Sequence, residues 1–150
     1  MNHIARIIIG LLVCTATLSA GEKRGTPAQA EAMVKKAIAY LKDNGNDKGY
    51  TEISNRQGKF VDGDLYVFVY DMTGKCLAHG GNAKMVGKDL IDLKDPDGKS
   101  FVKERIEIAK SKGKGWQNYK WSNPATNKIE EKTAYVEKYG DVIVGCGAYK

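Results

Sequence analysis

The chain has 150 residues, 42% of them hydrophobic, and its 24 Lys and Arg against 18 Asp and Glu give a formal net charge of +6. That is the length of one ordinary domain with its own core, not of two. The lysines (Lys35, Lys36, Lys84, Lys88, Lys94 and Lys99 among them) are scattered between acidic residues and make no continuous basic stripe, so no nucleic-acid partner is expected, although a positive field still draws small anions.

Residues 1–20 carry Arg6, an apolar run from Ile7 to about Leu18, and small residues at Ala20 and Gly21. This is the pattern of a cleavable export leader, with cleavage near Ala20/Gly21. The run is shorter than the ~20 residues of a membrane-spanning helix and nothing comparable follows it, so no membrane insertion is expected once the leader is removed. Cys14 is not expected to carry a lipid anchor, because Val13 stands where such signals place a small residue. The mature protein, one positive charge poorer without Arg6, is expected in the periplasm or secreted, as one domain over residues 26–150.

Thr26 followed by Pro27 predicts a helix start, an N-cap with proline at the first helical position. Ala30, Val34, Ala37, Ile38 and Leu41 recur at helical spacing until Asn44 and Gly45 end the pattern, which gives an amphipathic helix of about four turns. Tyr50 to Asn55 predicts a short helix or turn, and Asp62, Gly63 and Asp64 a loop. Leu65 to Tyr70, LYVFVY, is apolar on both faces and reads as the central strand. A Gly-containing turn then leads to a partner strand, Cys76 to His79. Val86 to Leu93 reads as a loop, Asp95 to Gly98 as a turn, and Ser100 to Lys112 as a helix presenting Phe101, Val102, Ile106 and Ala109.

The remainder, from Gly115 to Tyr149, reads as a three-stranded antiparallel meander crowded with aromatic residues. Tyr119 and Trp121 share one face of its first strand and Trp116 the other; the second strand runs from Lys128 to Lys138, and Gly140 and Asp141 reverse the chain. In the third, Val142, Val144 and Cys146 alternate with Ile143, Gly145, Gly147 and Tyr149. Two glycines on one strand face leave room, here for a small ligand or a helix. One helix, two strands, a loop with a helix and three strands make an α+β domain on an antiparallel sheet.

The segments GKFVDGDLYVFVYD (58–71), GKCLAHG (74–80), VGKDLIDLKDPDGKSF (86–101), GWQNYKWSNP (115–124), KTAY (132–135) and VGCGAY (144–149) occur in this order. Together they make the chain resemble the single-Cache family, PAS-like extracytoplasmic sensor domains of chemoreceptors and histidine kinases, and in particular its stand-alone exported members. The resemblance covers nearly the whole mature chain. It implies a five-stranded antiparallel PAS-like sheet in spatial order 2-1-5-4-3, a long N-terminal helix on one face, a helix and loop inserted between strands 2 and 3, and a pocket on the other face. It further implies binding of a small solute, commonly a short organic acid, an amine or an amino-acid-like molecule, without a cofactor. Signalling members carry membrane helices and a cytoplasmic output domain. A chain with only a leader before it and nothing after Lys150 is expected to be read, when loaded, by a membrane-bound sensor or chemoreceptor, or else to scavenge its solute.

Lys132, on a strand beside aromatic neighbours and within the KTAY match, is the candidate cation for a carboxylate ligand; its alternative is a solvated strand lysine. Tyr119 and Trp121 are the candidate pocket walls, with core filling as the alternative. Alternation puts Lys132 and Tyr135 on opposite faces, so Tyr135 joins the site only through a bulge. His79, the one histidine beyond the leader, is either a ligand contact or a hydrogen-bonded strand end. It does not make a zinc site alone, and no HExxH, CxxC or CxxCH pattern accompanies it.

Asp95, Asp97, Gly98 and Glu104 have part of a calcium-loop spacing, but Leu93 falls on the first ligand position. In the implied strand order Cys76 and Cys146 lie on strands about two spacings apart, roughly 9.5 Å, which is beyond a disulfide without a local irregularity, and their pairing is left open. No GxSxG elbow or cysteine–histidine pair points to an enzyme. The rival readings are an interaction module without a ligand and a redox- or haem-responsive protein using Cys76, Cys146 or His79.

Overall fold

The computed structural model describes residues 23–150; the leader, its cleavage point and Cys14 lie outside them. Helix α1 (Pro27–Asn44) starts where expected, because Thr26 and Gln29 cap each other. The Thr26 hydroxyl accepts from the Gln29 N–H at 3.2 Å, and the Gln29 side chain accepts from the Thr26 N–H at 2.9 Å. Its buried stripe is Ala30, Val34, Ala37, Ile38 and Leu41, the residues the spacing picked out. Gly45, at φ 79°, turns the chain into α2 (Asn46–Ser54), which begins four residues earlier than expected.

The expected loop at Asp62–Asp64 is the turn of a small hairpin between β1 (Val61–Asp62) and β2 (Leu65–Asp71), with Gly63 in the left-handed region at φ 62°. Strand β3 (Cys76–His79), a short 3-10 turn (Ala83–Met85) and α3 (Phe101–Lys112) follow. The meander is β4 (Lys114–Asn123), β5 (Lys128–Tyr139) and β6 (Val142–Tyr149). All pairings are antiparallel, in the order β1-β2-β6-β5-β4, with β3 also on β2. Leaving out the two-residue β1, this is the expected five-strand order, and β1 is the sixth strand that the glycine-bearing loop concealed.

Strands β2 and β6 lie at the centre because they carry no side chain that needs water: every residue of β6 is buried, as is all of β2 except Asp71. Val67, Val69, Val144, Cys146 and Ala148 face the α1 stripe. Tyr66, Phe68, Tyr70, Ile143 and Tyr149 face the other way, under Phe101, Val102 and Ile106 of α3. Cys146 therefore packs on the α1 side and Cys76 on the α3 side; both thiols are free and buried.

The space beside Gly145 and Gly147 is filled differently from the expectation. The Phe68 ring occupies the first position and the aliphatic stem of Lys132 the second, so neither an added helix nor a ligand sits against those backbones. A methyl group on Gly145 would run into the Phe68 ring. Gly145→Ala is accordingly expected to lower stability by about 1–3 kcal/mol, the usual cost of overpacking. Urea unfolding checks it, and an unchanged midpoint would mean that the ring moves aside freely.

Candidate functional site

The sheet face turned away from α1 holds an unusual content for a core. Register places Lys132 of β5 directly between Tyr119 of β4 and Tyr149 of β6. Its side chain is 0% exposed, and its Nζ lies 3.9 Å from the centre of the Tyr66 ring and 4.6 Å from that of Tyr149. Nζ donates to the Tyr149 hydroxyl at 3.4 Å. Tyr149 in turn donates to the Ser122 carbonyl at 2.7 Å, so in the 3.0 Å contact between the Tyr66 and Tyr149 hydroxyls it is Tyr66 that donates. No carboxylate of the described residues lies within 4.0 Å of this ammonium. Burial brings the Lys132 pKa down to about 7; the positive charge of Arg105 adds to the fall, and Cys146 and the buried Asp64 oppose it.

Arg105 is the residue that the sequence reading missed. It sits on the apolar stripe of α3, in step with Phe101, Val102, Ile106 and Ala109, and is 1% exposed. Its guanidinium lies 4.2 Å from the Phe68 ring centre and 4.6 Å from that of Tyr70. Nε donates to Gln117 Oε1 at 2.9 Å and Nη2 to the Tyr119 hydroxyl at 3.4 Å. It too has no carboxylate within 4.0 Å among the described residues. The available signal was a cation on a helix's apolar stripe, together with period two along β4, which puts Gln117 on the face of Tyr119 and Trp121.

Tyr119 and Trp121 share that face as expected, and both pack on Phe101, Tyr119 stacked at 4.6 Å and Trp121 edge-on at 5.3 Å. His79 joins them: buried, it lies against the Tyr66 ring at 5.0 Å and accepts the Asn82 N–H on Nδ1 at 2.9 Å. Its proton therefore resides on Nε2. Burial, with the charges of Lys132 and Arg105 behind it, lowers its pKa to about 3, so the ring is neutral at physiological pH. Tyr135 is not brought to the site. Strand β5 pairs without a register break on either side, so alternation holds and Tyr135 faces α1, donating to Glu137 at 2.7 Å beneath Trp116.

A cavity of about 230 Å³ opens beside these residues, walled by Tyr66, His79, Trp121 and Ser122. Tyr66 belongs to both features: it lines the cavity and carries the Lys132 ammonium over its ring. At the rim, the Arg56 guanidinium donates to the Gly81 carbonyl at 3.2 Å and to the Pro124 carbonyl at 3.5 Å, tying two loops together. Tyr119 and Lys132 themselves line a second crevice, of about 220 Å³, whose charged rim is partly ion-paired within itself, Lys120 with Asp97 and Lys150 with Glu131. The Asp95 carboxylate accepts backbone N–H groups from Asp97, Lys99 and Lys120, so it serves the turn ahead of α3. Among the described residues no group of three or more His, Cys, Asp or Glu is placed to hold a metal ion.

A family model described as Single Cache domain 2 matches residues 23–150. The chain is 38% identical over 88 residues to a sensor histidine kinase, MctS, of Rhizobium johnstonii, a stretch that is 57% of this chain and 19% of that protein. It is 32% identical over 90 residues to a methyl-accepting chemotaxis protein, McpP, of Pseudomonas putida, covering 59% of this chain and 16% of the relative. The match thus spans less than a fifth of either relative. Among solved structures, a methyl-accepting chemotaxis protein from Vibrio parahaemolyticus superposes with a TM-score of 0.71 at 23% identity, over 81% of this chain and 86% of that one. A Cache chemosensory domain described for carboxylic acid recognition gives 0.64 at 25% identity, over 81% and 86%.

The buried ammonium has a signature in stability. Its pKa is about 7 in the folded state against an ordinary 10.5, so the unfolded chain holds a proton that the folded chain releases, and stability rises with pH above 7. The slope contributed by this one group is at most about 1.4 kcal/mol per pH unit. Thermal unfolding between pH 7 and 8, below the range where the two buried thiols and then the buried tyrosines act in the opposite direction, is expected to show this rise in the ligand-free protein. Lys132→Met is expected to remove most of it, the remainder near pH 7 coming from the buried neutral His79, and to be the more stable form at pH 7; an identical pH profile in the variant would contradict a buried Lys132 without a close counter-ion.

Proposed function

The chain belongs to the single Cache domain 2 family, and from that premise we propose that it binds a short carboxylate reversibly on the α3 side of its sheet, with Lys132 and Arg105 as the anchoring cations. One observation carries the reading. Two buried cations share the Phe68 ring, at 5.8 Å for Lys132 and 4.2 Å for Arg105, and neither has a carboxylate within 4.0 Å among the described residues. A buried unpaired charge costs several kcal/mol, and a charge-assisted pair with a bound anion offsets that cost. Tyr119, Trp121 and His79 supply the walls and one imidazole donor. The adjoining cavity, about 230 Å³, is smaller than the roughly 300–1,000 Å³ of sites for drug-sized molecules and suits a ligand of a few heavy atoms.

The relatives support the same class. A related chemosensory domain is described for carboxylic acid recognition, and a further structure, 25% identical, is a periplasmic sensor domain of a chemotaxis protein. An extracytoplasmic location and a membrane-bound sensor or chemoreceptor as the reader of the loaded state follow as parts of this proposal. The reading is one of binding, not turnover. A ligand-free interaction module has one observation in its favour, the filling of the glycine space by Phe68 and Lys132. A uniformly negative ligand screen would favour it.

Calorimetry with acetate, propionate, pyruvate and succinate tests the proposal. At least one is expected to bind, and Lys132→Met and Arg105→Met are each expected to weaken it by about 10-fold or more, as loss of a charge-assisted contact does. Because a carboxylate favours the ammonium form, and free Lys132 titrates at about 7, binding is expected to take up protons and to weaken as pH rises from 7 towards 9. Full affinity in both variants would overturn the proposal.

A further inference from the structure

Resting on that reading, we propose that Gln117 is the specificity-determining residue of the site: a neutral amide interposed between Glu104 and Arg105, which fills the guanidinium's bonding position without a charge and so reserves it for an anionic ligand. Gln117 is 2% exposed, and its amide has only one workable orientation. Oε1 accepts from Arg105 Nε at 2.9 Å, while Nε2 donates to the Phe101 carbonyl at 3.0 Å and to Glu104 Oε2 at 2.9 Å. A flipped amide would set its NH2 against a guanidinium N–H and its oxygen against two acceptors.

A carboxylate thus stands one amide group away from a buried arginine without touching it. Glu104 is a neighbour of Arg105 on α3, yet it directs its charge outward, where Lys99 Nζ meets it at 3.0 Å. Among the described residues the side-chain hydrogen-bond partners of Arg105 are both neutral: the Gln117 amide oxygen and the Tyr119 phenol. Arginine stays charged under all ordinary conditions, so the charge of Arg105 persists with only neutral groups bonded to it. A glutamate at position 117 would differ from the glutamine by one atom and would place a carboxylate on Arg105 directly. The protein would then supply its own counter-ion, and the site would lose half of its anion-directed charge.

The exchanged double variant Glu104→Gln/Gln117→Glu tests this, since it keeps the net charge and residue composition and only swaps amide and carboxylate. Ligand-free melting and acetate, propionate and succinate binding are measured for the wild type, Glu104→Gln and the exchanged form. Glu104→Gln is expected to bind within about 2-fold of the wild type. The exchanged form is expected to melt at or above the wild type without ligand and to bind at least 10-fold more weakly. A merely structural role would move both readouts in the same direction. Wild-type affinity in the exchanged form overturns the inference, and so does ligand-free melting well below the wild type, which would mean that a carboxylate at 117 does not pair with Arg105. If the wild type binds none of the three acids, the carboxylate reading itself fails. The inference is then judged on ligand-free melting alone, a rise supporting it and a fall overturning it.

Discussion

The organising constraint of this domain is a pair of positive charges buried in a protein core with no carboxylate within 4.0 Å among the described residues, the buried Asp64 acting on Lys132 only from farther off. Lys132 and Arg105 lie on the same side of the sheet, supported by ring faces, two phenol oxygens and an amide oxygen. Such contacts are worth about 2 kcal/mol each when desolvated, less than the cost of burying an ion. The two residues meet the deficit differently. Lysine can give up its proton, and its pKa falls to about 7; arginine cannot, so its charge is permanent and its support more elaborate, with four rings within 6 Å. The sheet therefore has a dry hydrocarbon face towards α1 and an electrostatically unfinished one towards α3.

The fold makes this possible by division of labour. Strands β2 and β6 carry apolar or aromatic side chains on both faces and fix the centre, leaving β4 and β5 to contribute polar groups without loss of sheet integrity. The glycines of β6 serve the same end. By omitting side chains at 145 and 147, the central strand lets Phe68 and the Lys132 stem lie flat across it, which is how a lysine from the neighbouring strand reaches the ring of Tyr66.

Much of this architecture was legible in the residues. Helix α1, the central strand Leu65–Tyr70, the meander and the inside–outside alternation of β6 all follow from capping, periodicity and turn chemistry, which act over a few residues. Tyr119 and Trp121 could be placed on one face of β4, and Lys132 and Tyr135 on opposite faces of β5, for the same reason; the register that joins Lys132 to Tyr119 came from the structure. What escaped was set by contacts distant in sequence. Gly145 and Gly147 announced a gap but not its occupant, because Phe68 arrives from a strand more than seventy residues earlier. Arg105 was passed over because a charged residue on a helix is ordinarily solvated; only the coincidence of the α3 stripe with the aromatic face of β2 buries it. The β1 hairpin was lost to its Asp-Gly-Asp composition, which reads as a loop whether or not two residues on each side pair.

Cys76 and Cys146 carry one further implication. They occupy opposite sides of a central pair of strands, and burial raises their thiol pKa values to about 11 and about 12. As neutral thiols sealed in hydrocarbon, they are poor nucleophiles towards oxidants and towards other disulfides. The fold of the described residues is thus complete without a disulfide. Its cohesion comes from packing, strand pairing and ion pairs, with no covalent cross-link between the two cysteines.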